Sequence, residues 1–166
     1  MKVILFGATG MVGQGVLREC LADSEVHEVL IIGRNASPVD DPKVRQIVRD
    51  DLSDYADVEG ELAGFDACFF CLGVSAAGMD EAQYTAITYD LTLAVAQTFA
   101  RFNPDMTFIY VSGHGTDSSE QGRTMWARVK GRTENALLQL PFRAAYMFRP
   151  AFIQPMHGIR SRTRAY

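Results

Sequence analysis

The sequence predicts an α/β protein built on a doubly wound parallel sheet with helices on both faces. Short apolar runs alternate with helical patterns along the chain, as crossovers between parallel strands require. Several of these runs are almost continuously apolar, which is typical of strands covered on both faces. A glycine-rich turn at residues 7–13 connects the first strand to the first helix. The expected strand order is 3-2-1-4-5-6.

Each element follows from periodicity and from the residues that start or stop it. The strands are expected at residues 3–6, 28–32, 43–48, 65–73, 106–111 and 143–150. The helices are expected at residues 12–21, 80–99 and 121–140. Asp80 is suited to cap the second helix, and Pro141 ends the third. The alternation in the third strand favours an edge position.

The composition is that of one globular domain. The chain has 166 residues and a net charge of -4, so we expect no nucleic-acid partner. No run is long enough for a transmembrane helix, and the N-terminus enters a strand with no signal-peptide pattern. A cytoplasmic protein is therefore expected. The predicted domain covers residues 1–150, and residues 151–166 form a basic tail with Arg160, Arg162 and Arg164.

Three cysteines, Cys20, Cys68 and Cys71, favour no metal site. Cys68 and Cys71 have the spacing of a metal-binding or redox pair. They fall in an apolar strand, however, where positions three apart point to opposite faces. Zinc would also require further ligands nearby. We expect buried, reduced thiols.

The glycine-rich turn predicts a dinucleotide site, because it follows a strand and opens a helix. Gly7 permits the tight turn, Gly10 lets a pyrophosphate approach the backbone, and Gly13 lets the helix lie close to the sheet. The helix N-terminus offers free N–H groups and a positive dipole end to the phosphates. The intervening Thr9, Met11 and Val12 are included in the predicted site.

Arg34, at the end of the second strand, favours NADP over NAD. A carboxylate at this place would bind the adenine ribose hydroxyls of NAD, whereas an arginine suits a 2′-phosphate. The alternatives are a solvated loop arginine and NAD as the cofactor.

The glycine spacing is Gly-x-x-Gly-x-x-Gly, unlike the Gly-x-Gly-x-x-Gly of ordinary dehydrogenases. Two further segments matter: Cys71-Leu72-Gly73 after the fourth strand, and Val129-Lys130-Gly131 on the last helix. With them, the sequence resembles the atypical and extended short-chain dehydrogenase/reductases, which are similar to NAD-dependent epimerases and dehydratases. The resemblance is closest to the small Tat-interacting-protein-like oxidoreductase branch. It covers almost the whole chain and implies a Rossmann domain.

The resemblance implies further cofactor contacts. Asp51 and Leu52 would line the adenine pocket, although Asp51 could instead, or in addition, cap a following turn. The segment 71–75 would pass under the ribose. The segment 150–153, with Pro150 and Ile153, would close over the nicotinamide. Family members usually continue with helices that shape the substrate pocket, so we expect a reduced or truncated substrate region after residue 150.

The family's catalytic residues are a serine after the fifth strand and Tyr-x-x-x-Lys on the next helix. Ser112 and Lys130 match the serine and the lysine, but Trp126 stands in the tyrosine position. An indole has one N–H donor and does not titrate usefully. His114, Tyr84 and Tyr89 are the candidate substitutes, each with the alternative of a structural role. The polar loop 117–121 could cover the nicotinamide or be merely exposed.

Two functions stay open at this point. One is an NADP(H)-dependent oxidoreductase or epimerase-like enzyme with a modified site, acting on an unknown small molecule. The other is a non-catalytic NADPH-binding redox sensor or interaction module. A homodimer is left open.

Overall fold

The computed structural model describes residues 1–159, which form a three-layer α/β unit. Its strands are β1 (Lys2–Phe6), β2 (Glu28–Gly33), β3 (Val44–Val48), β4 (Ala67–Phe70), β5 (Thr107–Val111) and β6 (Ala144–Phe148). Its helices are α1 (Met11–Ala22), α2 (Glu81–Thr85), α3 (Leu91–Phe102) and α4 (Met125–Leu137). None of the helices in residues 1–159 is long and apolar enough to span a membrane.

The six strands form one parallel sheet in the order β3-β2-β1-β4-β5-β6, which confirms the predicted fold class and strand order. The central strand β1 places Leu5 opposite Ile31 on one side and Phe69 on the other. Because all strands run the same way, their carboxyl ends meet at one edge of the sheet, where ligands bind in this architecture.

Each face of the sheet has its own apolar core. The cluster that includes Phe6, Phe70 and Phe108 is packed with side chains of α3 and α4, whereas the cluster around Leu5 is packed with α1. Cys68 lies in the first cluster and Cys71 packs against the second, and both are free thiols. The prediction of opposite faces is confirmed. Burial raises the pKa of Cys71 to about 12, which makes it a poor nucleophile.

The predicted second helix is interrupted. α2 passes into a stretch of π-helix, Ala86–Asp90, before α3 begins. The wide turn contains Thr88, whose carbonyl accepts from the Thr92 hydroxyl at 2.6 Å. Asp80 does cap α2, since its carboxylate accepts from the Gln83 N–H at 2.8 Å and the Gln83 side chain accepts from the Asp80 N–H.

The last helix is shorter than the expected 121–140. Its start is delayed because the Asp117 carboxylate accepts from the Gly122 N–H at 2.6 Å and from Ser119, which holds that segment as a turn. The division into residues 1–150 and a tail stays a prediction. Arg160, Arg162 and Arg164 lie outside the described residues.

Candidate cofactor site

A cleft of about 610 Å³ opens at the carboxyl edge of the sheet. Most of the predicted site residues line it. From the predictions these are Gly7, Thr9, Gly10, Met11, Val12, Arg34, Leu52, Cys71, Leu72, Gly73, Ser112, Lys130, Pro150 and Ile153. Residues that are distant in the chain thus meet in one cleft at the place that the strand order predicts.

The glycine turn is a stack of backbone segments. Gly7 has φ of +79°, and a Cβ on it would lie 2.7 Å from the Cys71 carbonyl oxygen. A Cβ on Gly13 would lie 2.0 Å from the Gly7 carbonyl oxygen. Gly13 does not line the cleft but is buried beneath the turn, in the helix-packing role predicted for it. These two positions therefore require glycine for close backbone contact.

The N-terminus of α1 faces the cleft with its N–H groups available. Gly10 is the N-cap residue, and no side chain caps this end of the helix. A Cβ on Gly10 would lie 3.3 Å from the Gly7 carbonyl oxygen, closer than an ordinary van der Waals contact. Glycine at this position leaves the backbone uncovered by a side chain. Such an end suits a phosphate, because both its dipole and its free donors favour an anion. The residues present fit a dinucleotide pyrophosphate.

The end of β2 supplies one wall of the cleft, the wall at which the adenine side of the cofactor is predicted. Arg34 is exposed and lines the cleft, as does the buried Leu52. The neighbouring Asp51 is exposed and does not line it; its carboxylate accepts from the Ser53 N–H at 2.8 Å and from the Ser53 hydroxyl at 2.6 Å. These bonds lower the pKa of Asp51. The turn-capping alternative is therefore the arrangement seen, and an adenine contact of Asp51 stays a prediction.

The opposite wall contains Ser112, which directly follows β5, and Lys130 of α4. The half-buried Lys130 ammonium donates to the Ser112 carbonyl at 2.5 Å. The Ser112 hydroxyl donates to the carboxylate of Glu134 at 2.5 Å, and the Arg149 Nε lies 3.0 and 3.1 Å from the two carboxylate oxygens. Lys130 and Glu134 are four residues apart and so share one face of α4. Ser112 and Lys130 are thus linked by the hydrogen bond from the ammonium to the carbonyl.

The other predicted catalytic residues lie outside the cleft walls. Trp126 precedes Lys130 by one turn, and its ring end lies against Gly115, where an added Cβ would be 3.4 Å away. His114 is exposed, and its backbone N–H donates to the Pro150 carbonyl at 2.9 Å. Within residues 1–159, neither side chain lines the cleft. Their catalytic assignments stay predictions.

The two tyrosines considered as substitutes have other surroundings. Tyr84 is buried in the core, and Tyr89 lies under the Arg132 guanidinium, which is 4.2 Å from the ring centroid. The described part of the cleft wall contains neither of them.

The polar loop at residues 113–124 is held against α4. A Cβ on Gly131 would lie 1.8 Å from the Asp117 carbonyl oxygen, so loop and helix touch through their backbones. The Asp117 N–H donates to the Ala127 carbonyl at 3.0 Å, and the Asn135 amide donates to the Ser118 carbonyl at 3.0 Å. Residues 117–121 are absent from the described cleft wall, so a covering role for them stays a prediction.

Several cleft residues were not predicted as binding residues. They are Ala8, Ile31, Ile32, Gly33, Asn35, Val111 and Gly113. Most directly follow or end a strand, so the rule that ligands bind at the carboxyl ends of parallel strands would have found them. Glu134 was also missed; its position four residues after Lys130 was the available signal.

A larger apolar groove, of about 950 Å³, lies beside α1 and continues from the cleft. It is bordered by Phe69, Ile109 and the exposed Phe148. Residues that line both the cleft and the groove are Met11, Val12, Cys71, Val111, Pro150 and Ile153. Gly7, Gly10 and Lys130 line only the smaller cleft, which is therefore the candidate cofactor site.

Comparison with known proteins supports this site. The sequence matches the NAD(P)H-binding family over residues 7–138, which includes the glycine turn and Lys130. The chain belongs to the NAD(P)H-binding family. Its resemblance to the atypical short-chain dehydrogenase/reductases is thereby confirmed, and nicotinamide dinucleotide is its cofactor class.

A curated relative is the mitochondrial protein fmp52 of Emericella nidulans, 31% identical over 159 residues. The alignment covers 92% of this NAD(P)H-binding chain and 66% of the relative, so the chain spans about two thirds of that protein's length. The relative's name contradicts the expectation of a cytoplasmic protein, which was wrong. That expectation rested on the lack of a transmembrane-length run and of a signal-peptide pattern, and neither feature identifies the compartment.

Solved structures share the fold. A UDP-glucuronic acid 4-epimerase from Bacillus cereus in complex with NAD has a TM-score of 0.69 at 15% identity, covering 90% of this chain and 56% of that one. The PhqB reductase domain from Penicillium fellutanum has a TM-score of 0.70 at 20% identity, covering 91% and 49%. At such identities the likeness establishes the fold alone.

Proposed function

We propose that this chain is an NADP(H)-dependent oxidoreductase domain that acts on a small carbonyl or hydroxyl compound. The observation that carries the proposal is the meeting of the glycine turn, Arg34 and Lys130 in one cleft. The turn suits the pyrophosphate, Arg34 suits the 2′-phosphate, and Lys130 suits the ribose at the far end. When bound, the nicotinamide exchanges a hydride with the substrate.

Arg34 supports NADP(H) as the cofactor, and its removal tests the proposal. A charge-assisted hydrogen bond contributes roughly 1.5–3 kcal/mol, so Arg34→Ala is expected to weaken NADPH binding by about tenfold or more. Binding of NADH should hardly change. Fluorescence titration with both cofactors measures this, and Arg101→Ala, an exposed arginine outside the cleft, is the matched control. Equal losses for both cofactors would contradict the NADP preference.

Proton transfer in this cleft is assigned to Lys130. Among residues 1–159, the cleft-lining side chains include no tyrosine, histidine or carboxylate. Burial lowers the pKa of Lys130 while Glu134 raises it, and a lysine brought toward neutrality is a better general acid. Lys130→Met keeps the aliphatic stem and removes the proton, so it should abolish NADPH oxidation against a carbonyl panel.

A second candidate, an NADPH-binding module without turnover, is favoured by two observations. The Ser112 hydroxyl has acceptors within the protein, the Glu134 carboxylate at 2.5 Å and the Phe148 carbonyl at 3.2 Å, and Trp126 replaces a titratable group. Binding and turnover measured on one sample discriminate between the two functions. Turnover by the wild type supports the oxidoreductase. Tight binding with no turnover supports the module, above all if Trp126→Tyr is equally inactive.

A further inference from the structure

Glu134 is the buried carboxylate that binds the cleft residue Ser112, and it does not itself line the cleft. It lies on α4 one turn after Lys130, and only 2% of it is exposed. A carboxylate removed from water must be compensated by donors and by positive charge. The residues that provide this compensation are therefore tied to its position.

Two groups bind this carboxylate. The Ser112 hydroxyl donates to it at 2.5 Å from the end of β5. The Arg149 guanidinium forms a two-pronged ion pair with it from the end of β6. The same guanidinium donates to the Ser118 hydroxyl at 2.5 Å, so the network reaches the loop above α4.

Lys130 is coupled to the same network in two ways. Its ammonium binds the carbonyl of Ser112, the residue whose hydroxyl Glu134 holds. Its charge also lies in the field of Glu134, which raises the pKa of Lys130 against the lowering effect of burial. Arg149 is paired with the same carboxylate and partly neutralises its charge. Burial raises the pKa of the Tyr110 phenol on β5, and Tyr84 and then Glu134 add to this effect.

We infer that Glu134 is a positioning residue of the cofactor cleft, which fixes the Ser112 carbonyl to which Lys130 is bound and keeps Lys130 a cation facing the cofactor. The inference rests on the proposed function for its consequence in binding, but not for its electrostatic part. A neutral side chain of the same shape could fill the space. It could not hold the positive charge of Lys130.

The electrostatic part is tested by carbon-13 NMR of the lysine side chains. The chain has three lysines, Lys2, Lys43 and Lys130, so the Cε signals can be assigned with one Lys130→Arg variant. In Glu134→Gln the Lys130 signal should titrate at a lower pH than in the wild type. Glu134→Asp, which keeps the charge, should restore the titration toward the wild-type value.

Two further variants provide an independent test and a control. Arg149→Gln leaves the Glu134 charge less neutralised, so Lys130 should titrate at a higher pH, and this test survives if Glu134→Gln fails to fold. Glu81→Gln removes a carboxylate that pairs with Arg128 on another face of α4 and should leave the Lys130 titration unchanged. An unchanged Lys130 titration in both the Glu134→Gln and Arg149→Gln proteins would overturn the inference.

The consequence for cofactor binding is tested by measuring the NADPH affinity of the same proteins as a function of pH. Loss of the Lys130 charge should weaken binding by about tenfold, and the loss should begin at a lower pH in Glu134→Gln than in the wild type. Identical pH profiles in the folded proteins would overturn the positioning role. If the wild type binds no NADPH at any pH, the proposed function fails, while the NMR titration still decides the electrostatic claim.

Discussion

The two walls of the cleft are built by different means. The wall around the glycine turn consists of backbone in contact with backbone, at Gly7, Gly10 and Gly13. The wall at the end of β5 depends on hydrogen bonds of side chains: the Lys130 ammonium donates to the Ser112 carbonyl, and the Ser112 hydroxyl donates to the Glu134 carboxylate. The first wall depends on the absence of side chains, and the second depends on which side chains are paired.

This difference determines how each wall responds to mutation. An extra atom between two closely packed backbone segments forces them apart, so the loss of folding stability is large. A lost partner in a side-chain network leaves a donor or acceptor unsatisfied, which costs less and falls first on charge and orientation. Mutations at the two walls should therefore differ in size and in the property that they change.

The largest effect is expected for Gly13→Ala. The new Cβ would lie 2.0 Å from the Gly7 carbonyl oxygen, so α1 must move from the sheet at a cost of about 3 kcal/mol or more. Gly15→Ala is the matched control in the same helix, because nothing lies within 4 Å of its Cβ. It should stabilise the protein by roughly 0.5–1 kcal/mol. Urea unfolding measures both, and similar values for the two variants would show that the stack is not tight.

A smaller effect, on binding, is expected for Gly10→Glu. The residue has an extended backbone that other amino acids can adopt, so the protein should fold. Its carboxylate would occupy the phosphate position, and NADPH affinity should fall by about a hundredfold or more, roughly 2.7 kcal/mol. Gly10→Gln separates bulk from charge and should retain more affinity. Unchanged affinity in a folded Gly10→Glu protein would show that the pyrophosphate binds elsewhere.

The smallest effect is expected for Ser112→Ala, at the other wall. Glu134 loses one buried donor but keeps Arg149, so the stability should fall by about 1–2 kcal/mol. Ser119→Ala is matched in chemistry, since its hydroxyl also donates to a carboxylate, that of Asp117 at 2.6 Å, but it is exposed. Its cost should be about 0.5 kcal/mol or less. Equal costs in thermal unfolding would mean that burial of Glu134 does not strengthen the bond.

The backbone wall could be predicted from the sequence because its requirements are local. A glycine has no side chain that could bind one partner or another. Its spacing after an apolar strand is therefore sufficient to place Gly7, Gly10 and Gly13. The strand order and the opposite faces of Cys68 and Cys71 follow equally from periodicity and from crossover rules.

The side-chain wall could be predicted only in part. Periodicity places Ser112 and Lys130 at the same edge of the sheet, but it does not tell which partner each side chain takes. In the sequence, Glu134 cannot be distinguished from an ordinary surface residue of a helix. Its pairing with Arg149, which directly follows β6, is visible only in the structure. The π-helical turn between α2 and α3 was missed for a similar reason, since one extra residue per turn leaves the apolar pattern almost intact.

The stacked glycine turn also affects the thermodynamics of association. A loop that orders only on contact with its ligand loses conformational entropy at that moment, which reduces the affinity. Here the segment is immobilised during folding, between α1 below and the end of β4 beside it. Its donors are therefore preorganised, and binding need not order the chain around the phosphates.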